Sequence, residues 1–315
     1  MIDYDLIVLG GGPAGLTATI YALRKHLNVL LITKDLGGKT NYRLQLPDLD
    51  HHLVINGEDV VSRFVNEIEY LEFARVMDQV EEVQRLPEAG GYELRTRGGG
   101  HYRARALLIA TGAKARRLNV PGEKEFMMRG LCYSAVSYAP MFVDRDVAVV
   151  GDTALALRSA AELARIARHV TLTLPSPMDP DFPLGQRLRA MQNVLLLEDY
   201  SAARVEGDDY ARRLVVGHGT VEREVCADAC FVEFDLIPNS GLVAGLVERD
   251  PNGAIKVDSR NRTSAPGLFA AGDVTDTFAE QVLIAIGEGT KAALSAYEVL
   301  LLQPVAEPVA ARESR

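Results

Sequence analysis

Tryptophan is absent from this 315-residue chain, aromatic residues make up only 6% of it, and cysteine occurs three times. So few thiols, in odd number, exclude a disulfide framework and fit a reducing compartment. Cys226 and Cys230 lie in "VEREVCADACFVEF", which reads as one strand. At about 3.3 Å per residue their Cα atoms would stand about 13 Å apart, beyond the ~7 Å that a disulfide spans. Both are therefore expected to be structural. Basic residues are outnumbered 34 to 43, leaving a net charge of −9, which argues against phosphate-backbone binding and against nucleic acid as a partner. No apolar run has spanning length, and the opening "MIDYDLIVLGGGPAG" carries two acids, no basic leader and glycine interruptions. Neither a signal peptide nor a membrane span is expected, and the location expected is cytoplasmic. His51-His52 in "PDLDHHLVING" have no acid or histidine partners at ligand spacing, so no metal is expected.

With 48% hydrophobic residues the chain can bury a large core, and cores stop growing near ~250–300 residues, so two domains are expected. "YDLIVLGGGPAGLTATIYALRKHLNVLLIT" runs strand, glycine turn, amphipathic helix, strand. "HLVINGEDVVSRFVNEIEYLEF" reads as a loop into a helix, and "YELRTRGGGHYRARALLIATGA" as a hairpin continuing into a buried strand. A second strand, turn, helix and strand begins at "RDVAVVGDTALALRSAAELARIARHVTLTL", a duplication of architecture rather than a short repeat. A long helix is expected in "AEQVLIAIGEGTKAALSAYEVLLL" and a loose tail in "QPVAEPVAARESR". The fold class is α/β, built from two three-layer Rossmann-like nucleotide-binding domains.

Gly10, Gly12 and Gly15 form GxGxxG between the first strand and helix. Glycines there permit the tight turn, backbone approach to a pyrophosphate and close helix packing, with the phosphates on the helix N-terminus. The acid expected ~20 residues on, to hold a ribose hydroxyl, is not at the strand end, where Thr33-Lys34 stand; Asp35 is the nearest candidate.

The run Gly10-Gly-Gly-Pro-Ala-Gly15, "GG" at Gly37-Gly38, "ATGA" at Ala110 to Ala113, "GLFAAGDV" with Gly272-Asp273, and Gln281 opening the last helix occur in an order that resembles low-molecular-weight thioredoxin reductases. The resemblance covers nearly the whole chain. It implies a homodimer, with an FAD-binding domain split into residues 1–113 and 241–315 and a second nucleotide fold, residues 114–240, inserted into it. It places Gly10, Gly12, Pro13, Ala14, Gly15, Asp35, Gly38, Thr111, Gly112, Gly272, Asp273, Gln281 and Val282 around FAD. Asp273 would accept from a ribityl hydroxyl, and the helix start near Gln281 would offer N–H groups to the flavin's pyrimidine oxygens.

Two other parts of the resembled family are missing. Its second glycine turn binds NADPH, and here that turn reads Gly151, Asp152, Thr153, Ala154, Leu155, Ala156. The Thr153 Cβ would push a pyrophosphate away, Asp152 adds negative charge, and either side chain can cap the helix from within the chain. Leu174, Pro175 and Ser176 stand where the family grips a 2′-phosphate with basic residues. The family's Cys-x-x-Cys is replaced by Ser134-Ala135-Val136-Ser137, with Tyr138-Ala139 in place of the following Asp-Gly. Serines form no disulfide and are not nucleophilic at neutral pH as thiolates are. The expected function is an FAD-dependent oxidoreductase passing electrons to or from another redox partner such as ferredoxin, docked on a basic patch of Lys114, Arg116 and Arg117 or of Arg165 and Arg168. The alternatives are a non-catalytic FAD-binding or sensing flavoprotein, a related ferredoxin–NAD(P) reductase, and a weak disulfide reductase using Cys132. Tyr133 and Tyr138 would either stack on a ligand or pack.

Overall fold

A computed structural model describes residues 3–42, 44–46, 57–86, 90–179 and 181–303. His51-His52 and the tail beyond Gln303 lie outside the described residues. In chain order the elements are β1 (Asp3–Leu9), α1 (Pro13–Arg24), β2 (Val29–Thr33), α2 (Gly57–Tyr70), β3 (Arg75–Met77), β4 (Val80–Arg85), β5 (Tyr92–Thr96) and β6 (His101–Ile109). There follow β7 (Ala113–Ala115), α3 (Glu123–Phe126), β8 (Leu131–Cys132), α4 (Ala135–Tyr138), β9 (Asp146–Val150), α5 (Ala154–Leu163), β10 (His169–Leu174), α6 (Pro183–Ala190) and β11 (Val194–Glu198). The chain ends through β12 (Ser201–Gly207), β13 (Ala211–His218), β14 (Val221–Cys226), β15 (Ala229–Val232), β16 (Leu236–Pro238), β17 (Leu268–Ala270) and α7 (Val282–Leu301).

These elements pack as two compact units, one of Met1–Asn41, Gly57–Ala113 and Pro238–Arg315, the other of Tyr42–Asn56 and Lys114–Ile237. The second is thus inserted in the first. The first unit resumes at Pro238 rather than 241 because Asn239 is laced back to Thr111 and Gly112.

The first unit is built on the sheet β3-β2-β1-β6-β5-β4, with β17 pairing the second half of β6. β1, β2, β3, β6 and β17 are parallel, and β4-β5-β6 is an antiparallel meander. Successive side chains of a strand face opposite ways, and both faces of β1 are apolar. Leu6 and Val8 enter the core shared with α1, α2 and α7, while Ile7 and Leu9 enter the core shared with Val83, Tyr92, Leu94, Val243 and Ile255. Each such residue contributes about 1.5–3 kcal/mol relative to exposure, which is why the strand reads as a continuous apolar run rather than an alternating one. Helix α1 is nearly all buried, and its Ala14, Gly15, Thr17 and Ala18 are small enough for close packing by α7. At that crossing a Cβ on Gly289 would lie 2.1 Å from the Ala14 carbonyl oxygen.

The second unit repeats the plan. Its parallel sheet runs β11-β10-β9-β15-β8, in which β9, β10 and β11 take the places that β1, β2 and β3 hold in the first. Val147 and Val149 pack on α5, while Ala148 and Val150 face the antiparallel sheet β12-β13-β14. Phe142 and Phe231 meet edge to face at 5.0 Å in the α5-side core.

One sequence expectation is corrected here. "VEREVCADACFVEF" is not one strand: β14 ends at Cys226 in the antiparallel sheet, and β15 begins at Ala229 in the parallel one. Between them the Asp228 N–H donates to the Asp146 carbonyl at 2.7 Å, and the Asp228 carboxylate accepts from the Asp146 N–H at 3.0 Å. Apolar character alone does not reveal a change of sheet between adjacent strands. All three cysteines are free, Cys132 and Cys230 buried and Cys226 exposed.

Candidate functional site

The first glycine turn joins β1 to α1, and each glycine does a different job. A Cβ on Gly15 would lie 1.8 Å from the Gly10 carbonyl oxygen, and one on Gly10, whose φ is +108°, would lie 2.3 Å from the Ala110 carbonyl oxygen. These two are demanded by the fold of the turn itself. A Cβ on Gly12 would meet nothing within 4 Å, although Gly12 has an ordinary extended backbone that any residue adopts. Gly12 is the N-cap of α1, with Pro13 at the first helical position, no side-chain cap and no acid in the first turn. The helix therefore directs the positive end of its dipole and its N–H groups into open space beside a residue that need not be glycine for folding. Such a cradle fits a dinucleotide diphosphate.

The loop after β2 lies against this cradle. Gly37 N–H donates to the Gly11 carbonyl at 2.8 Å, and a Cβ on Gly38 would come within 3.2 Å of the Gly12 Cα. Asp35 shapes the loop: its carboxylate accepts from the Gly38 N–H at 3.0 Å and its carbonyl from the Thr33 hydroxyl at 2.7 Å. Gly11 also needs its lack of side chain, since a Cβ would sit 2.2 Å from the Asp35 carbonyl oxygen. The GxGxxG pattern leaves that position free.

Gly272, φ +75°, follows β17 and packs close to Ala14, and its N–H donates to the Glu288 carboxylate of α7 at 2.8 Å. Asp273 is mostly shielded and pairs with the Lys39 ammonium. The hydroxyl of Thr111 donates to the Asn239 carbonyl at 2.8 Å, and the Asn239 amide donates back to the Thr111 carbonyl at 2.9 Å. Gly112 accepts from the Asn239 N–H and has φ +64°. Gln281 caps α7 without a side-chain bond, and Val282 begins the helix. The structure thus gathers Gly10, Gly12, Pro13, Ala14, Gly15, Asp35, Gly38, Gly272 and Asp273 about the start of α1. Thr111 and Gly112 follow the neighbouring strand β6. Sequence reasoning missed Gly11, Lys39, Asn239, Glu288 and Gly289; of these, only Gly11 carried a signal, as part of a triple glycine.

The second turn, in the inserted unit, closes on itself. Gly151 and Ala156 keep strand and helix close, a Cβ on Gly151 being 2.2 Å from the Glu233 carbonyl oxygen and 2.5 Å from the Ala156 Cβ. The open middle position is taken by Thr153, the N-cap of α5, whose hydroxyl accepts from the Leu155 N–H at 3.3 Å. Asp152 pairs with Arg116 at 3.0 Å, and that guanidinium stacks over Phe234 at 4.9 Å. Asp152, Thr153, Ser176, Asp179 and Phe182 line a pocket of about 240 Å³ that carries two carboxylates and no basic side chain. A dinucleotide diphosphate does not fit these residues. Arg189 of α6 pairs with Glu198 at 2.8 Å, and Arg168 with Asp146 at 2.7 Å. Hence Arg116 and Arg168, two members of the expected basic patches, already have carboxylate partners.

At the former dithiol position the Ser134 and Ser137 hydroxyls lie 2.8 Å apart across α4, and Ser134 caps that short helix. The buried Glu233 carboxylate accepts from the Ala135 N–H at 2.5 Å. Cys132 is fully buried; desolvation, with a smaller contribution from Glu233, pushes its thiol well above the ordinary range. A thiol held protonated is a poor nucleophile. The Tyr133 hydroxyl donates to buried Glu123, and burial and that carboxylate push its pKa up. Tyr138 donates to the Tyr42 carbonyl at 3.2 Å, and its pKa is raised first by burial. Both tyrosine hydroxyls are therefore engaged by the protein. Among the described residues no group of His, Cys, Asp and Glu could hold a metal, and no helix is long and apolar enough to cross a membrane.

Two Rossmann-like units, one inserted in the other, with an open glycine cradle on the first and no cysteine pair on the second, define a thioredoxin-reductase-like protein. The chain belongs to the pyridine nucleotide-disulphide oxidoreductase family, whose model matches residues 4–289. It is 32% identical over 301 residues to an NADH dehydrogenase of Bacillus subtilis (strain 168), covering 95% of this chain and 59% of that one. It is 33% identical over 303 residues to an alkyl hydroperoxide reductase polypeptide of Pseudomonas putida, covering 95% and 58%. The chain thus spans less than two thirds of the length of the curated relatives it matches. Among solved structures, thioredoxin reductase from Streptococcus pyogenes MGAS5005 aligns with a TM-score of 0.85 at 29% identity, covering 95% of this chain and 98% of that one. Thioredoxin reductase from Giardia duodenalis aligns with a TM-score of 0.85 at 27% identity, covering 96% and 100%.

Proposed function

We propose that the chain is an FAD-dependent oxidoreductase that exchanges electrons with a redox partner other than a disulfide, and that it works as a cytoplasmic homodimer. The contrast between the two glycine turns carries this reading: α1 leaves its N-terminus open at Gly12, whereas α5 fills its own with Thr153. FAD, when bound, supplies reversible one- and two-electron transfer that no side chain of this protein offers. The chain's residues do the holding. Gly10, Gly12, Pro13, Ala14 and Gly15 present the α1 N–H groups to the diphosphate, while Asp35 and Gly38 shape the wall beside it. Gly272, Asp273, Gln281 and Val282 complete the site, and Thr111 and Gly112 fix the chain where β6 ends. Residues 1–113 and 241–315 form this domain, and 114–240 the degenerate one.

Electron exchange by thiols has little support, since Ser134 and Ser137 stand at the dithiol position and Cys132 is buried and protonated. A ferredoxin is a candidate partner, docking near the remaining basic residues Lys114, Arg117 and Arg165. Because one relative is named for NADH, NADH is the first nucleotide to try, in a pose that does not use the second turn. FAD-loaded protein is mixed anaerobically with NADH, NADPH and reduced ferredoxin in turn. Prompt loss of the oxidised flavin's absorbance with one of them identifies the donor. A chain that cannot be loaded with FAD refutes the cofactor assignment. Absence of bleaching by all three refutes the electron-transfer role and leaves a non-catalytic, sensing flavoprotein, a second reading favoured by the closed second turn and the serine pair. A ferredoxin–NAD(P) reductase is disfavoured by that same closed turn.

A further inference from the structure

The first site carries more negative charge than its glycine pattern suggests. Gly272 has Asp273 after it in the chain and the Glu288 carboxylate bonded to its N–H at 2.8 Å, so two carboxylates belong to the same corner as the start of α1. A cofactor diphosphate adds two further negative charges there, and like charges a few Å apart repel by several-fold to several-hundred-fold in binding, depending on the effective dielectric. The corner also contains Lys39. It follows Gly38, whose backbone approaches Gly12, and it opens the short turn held by the Asp35 to Gly38 hydrogen bond. Its ammonium pairs with Asp273, yet 46% of its side chain remains exposed while that of Asp273 is only 15% exposed. A lysine has three donors and a flexible stem; one contact to a carboxylate leaves donors for a second anion.

We propose that Lys39 is an anion-binding residue of the first site, neutralising Asp273 and donating to the diphosphate of the dinucleotide that the Gly10–Gly15 turn takes. The inference rests on the cofactor reading above, and the experiment separates the two. Its rival is a surface ion pair between Lys39 and Asp273 with no bearing on ligands, which would contribute little.

Apo-protein is titrated with FAD, followed by flavin fluorescence, at low and high salt, for the wild type and for Lys39→Gln, Lys39→Arg and Lys39→Gln/Asp273→Asn. Circular dichroism checks folding, which an exposed glutamine does not threaten. Lys39→Gln is expected to weaken FAD binding about tenfold or more at low salt, with a smaller loss at high salt, where charge interactions are screened. Lys39→Arg, keeping the charge, is expected to stay within about threefold of the wild type, and the double variant to recover part of the loss because Asp273 no longer repels the diphosphate. Failure of the wild type itself to bind FAD overturns the cofactor reading and this inference together. Wild-type binding with an unchanged Lys39→Gln affinity, or with a loss independent of salt, overturns the inference alone.

Discussion

Gly12 and Gly15 make a paired test of the first turn, because one glycine is free for folding and the other is not. At Gly12 the backbone is extended, φ −74° and ψ −178°, and a Cβ would meet nothing within 4 Å. Replacing an N-cap glycine by alanine costs under about 1 kcal/mol, and the reduced freedom of the unfolded chain returns about 0.4–1 kcal/mol. Gly12→Ala should therefore leave the midpoint of urea unfolding of apo-protein nearly unchanged, while its methyl stands in the space open to a diphosphate and weakens FAD at least about tenfold, about 1.4 kcal/mol. At Gly15 a Cβ would be 1.8 Å from the Gly10 carbonyl oxygen, a backbone atom that cannot step aside. Overpacking of that kind costs about 1–3 kcal/mol or more, beyond the ~1 kcal/mol that alanine gains over glycine within a helix. Gly15→Ala should lower the unfolding midpoint of the apo-protein and FAD binding together. Equal FAD affinity in Gly12→Ala and wild type would refute the placement of the diphosphate at this turn. Equal stability of Gly15→Ala and wild type would refute the packing argument.

The serine pair offers a second prediction: with hydroxyls 2.8 Å apart across α4, Ser134→Cys/Ser137→Cys should oxidise to an intramolecular disulfide. Thiol titration under denaturing conditions would count two fewer free thiols after oxidation, and an unchanged count would show the turn too rigid or misoriented. Third, native protein should react with iodoacetamide at exposed Cys226 and not at buried Cys132 or Cys230; peptide mapping that finds Cys132 modified would reopen its use as a reactive thiol. Fourth, burial pushes Cys230 from its ordinary 9.0 up to about 12 and Cys132 up as well. A raised folded-state value means that stability is fully present below pH 9 and declines as pH rises through the interval to about 12, by about 1.4 kcal/mol per pH unit for each thiol. Relative to wild type, Cys132→Ala/Cys230→Ala should show a shallower fall of unfolding free energy from pH 9 upward. Parallel curves would mean that the thiols ionise alike in folded and unfolded chains.

Much of the frame was legible in local pattern. The continuous apolar runs of β1, β2 and β9, the switch to helical spacing after Gly15, and the glycines of the first turn each rest on contacts a few residues apart. Hence two βαβ units and the replacement of cysteines by Ser134 and Ser137 could be read from residue order. The split of "VEREVCADACFVEF" between two sheets could not, because it depends on Asp228 meeting Asp146, which stands far away in the chain. Nor could the partners of the charges. Asp152 looked like a bare carboxylate at a phosphate turn, yet Arg116 neutralises it; Arg116 and Arg168 looked like a docking patch, yet each faces an acid.

Residue order thus settled the two glycine turns and the absence of a dithiol, since backbone sterics and thiol chemistry are properties of the residues themselves. Folding settled which glycine is open and which is packed, that Thr153 caps its own helix, and that Lys39 meets Asp273 from the far end of the chain. Those outcomes depend on what lies opposite a Cβ or a charge, and only the assembled sheets and helices decide that.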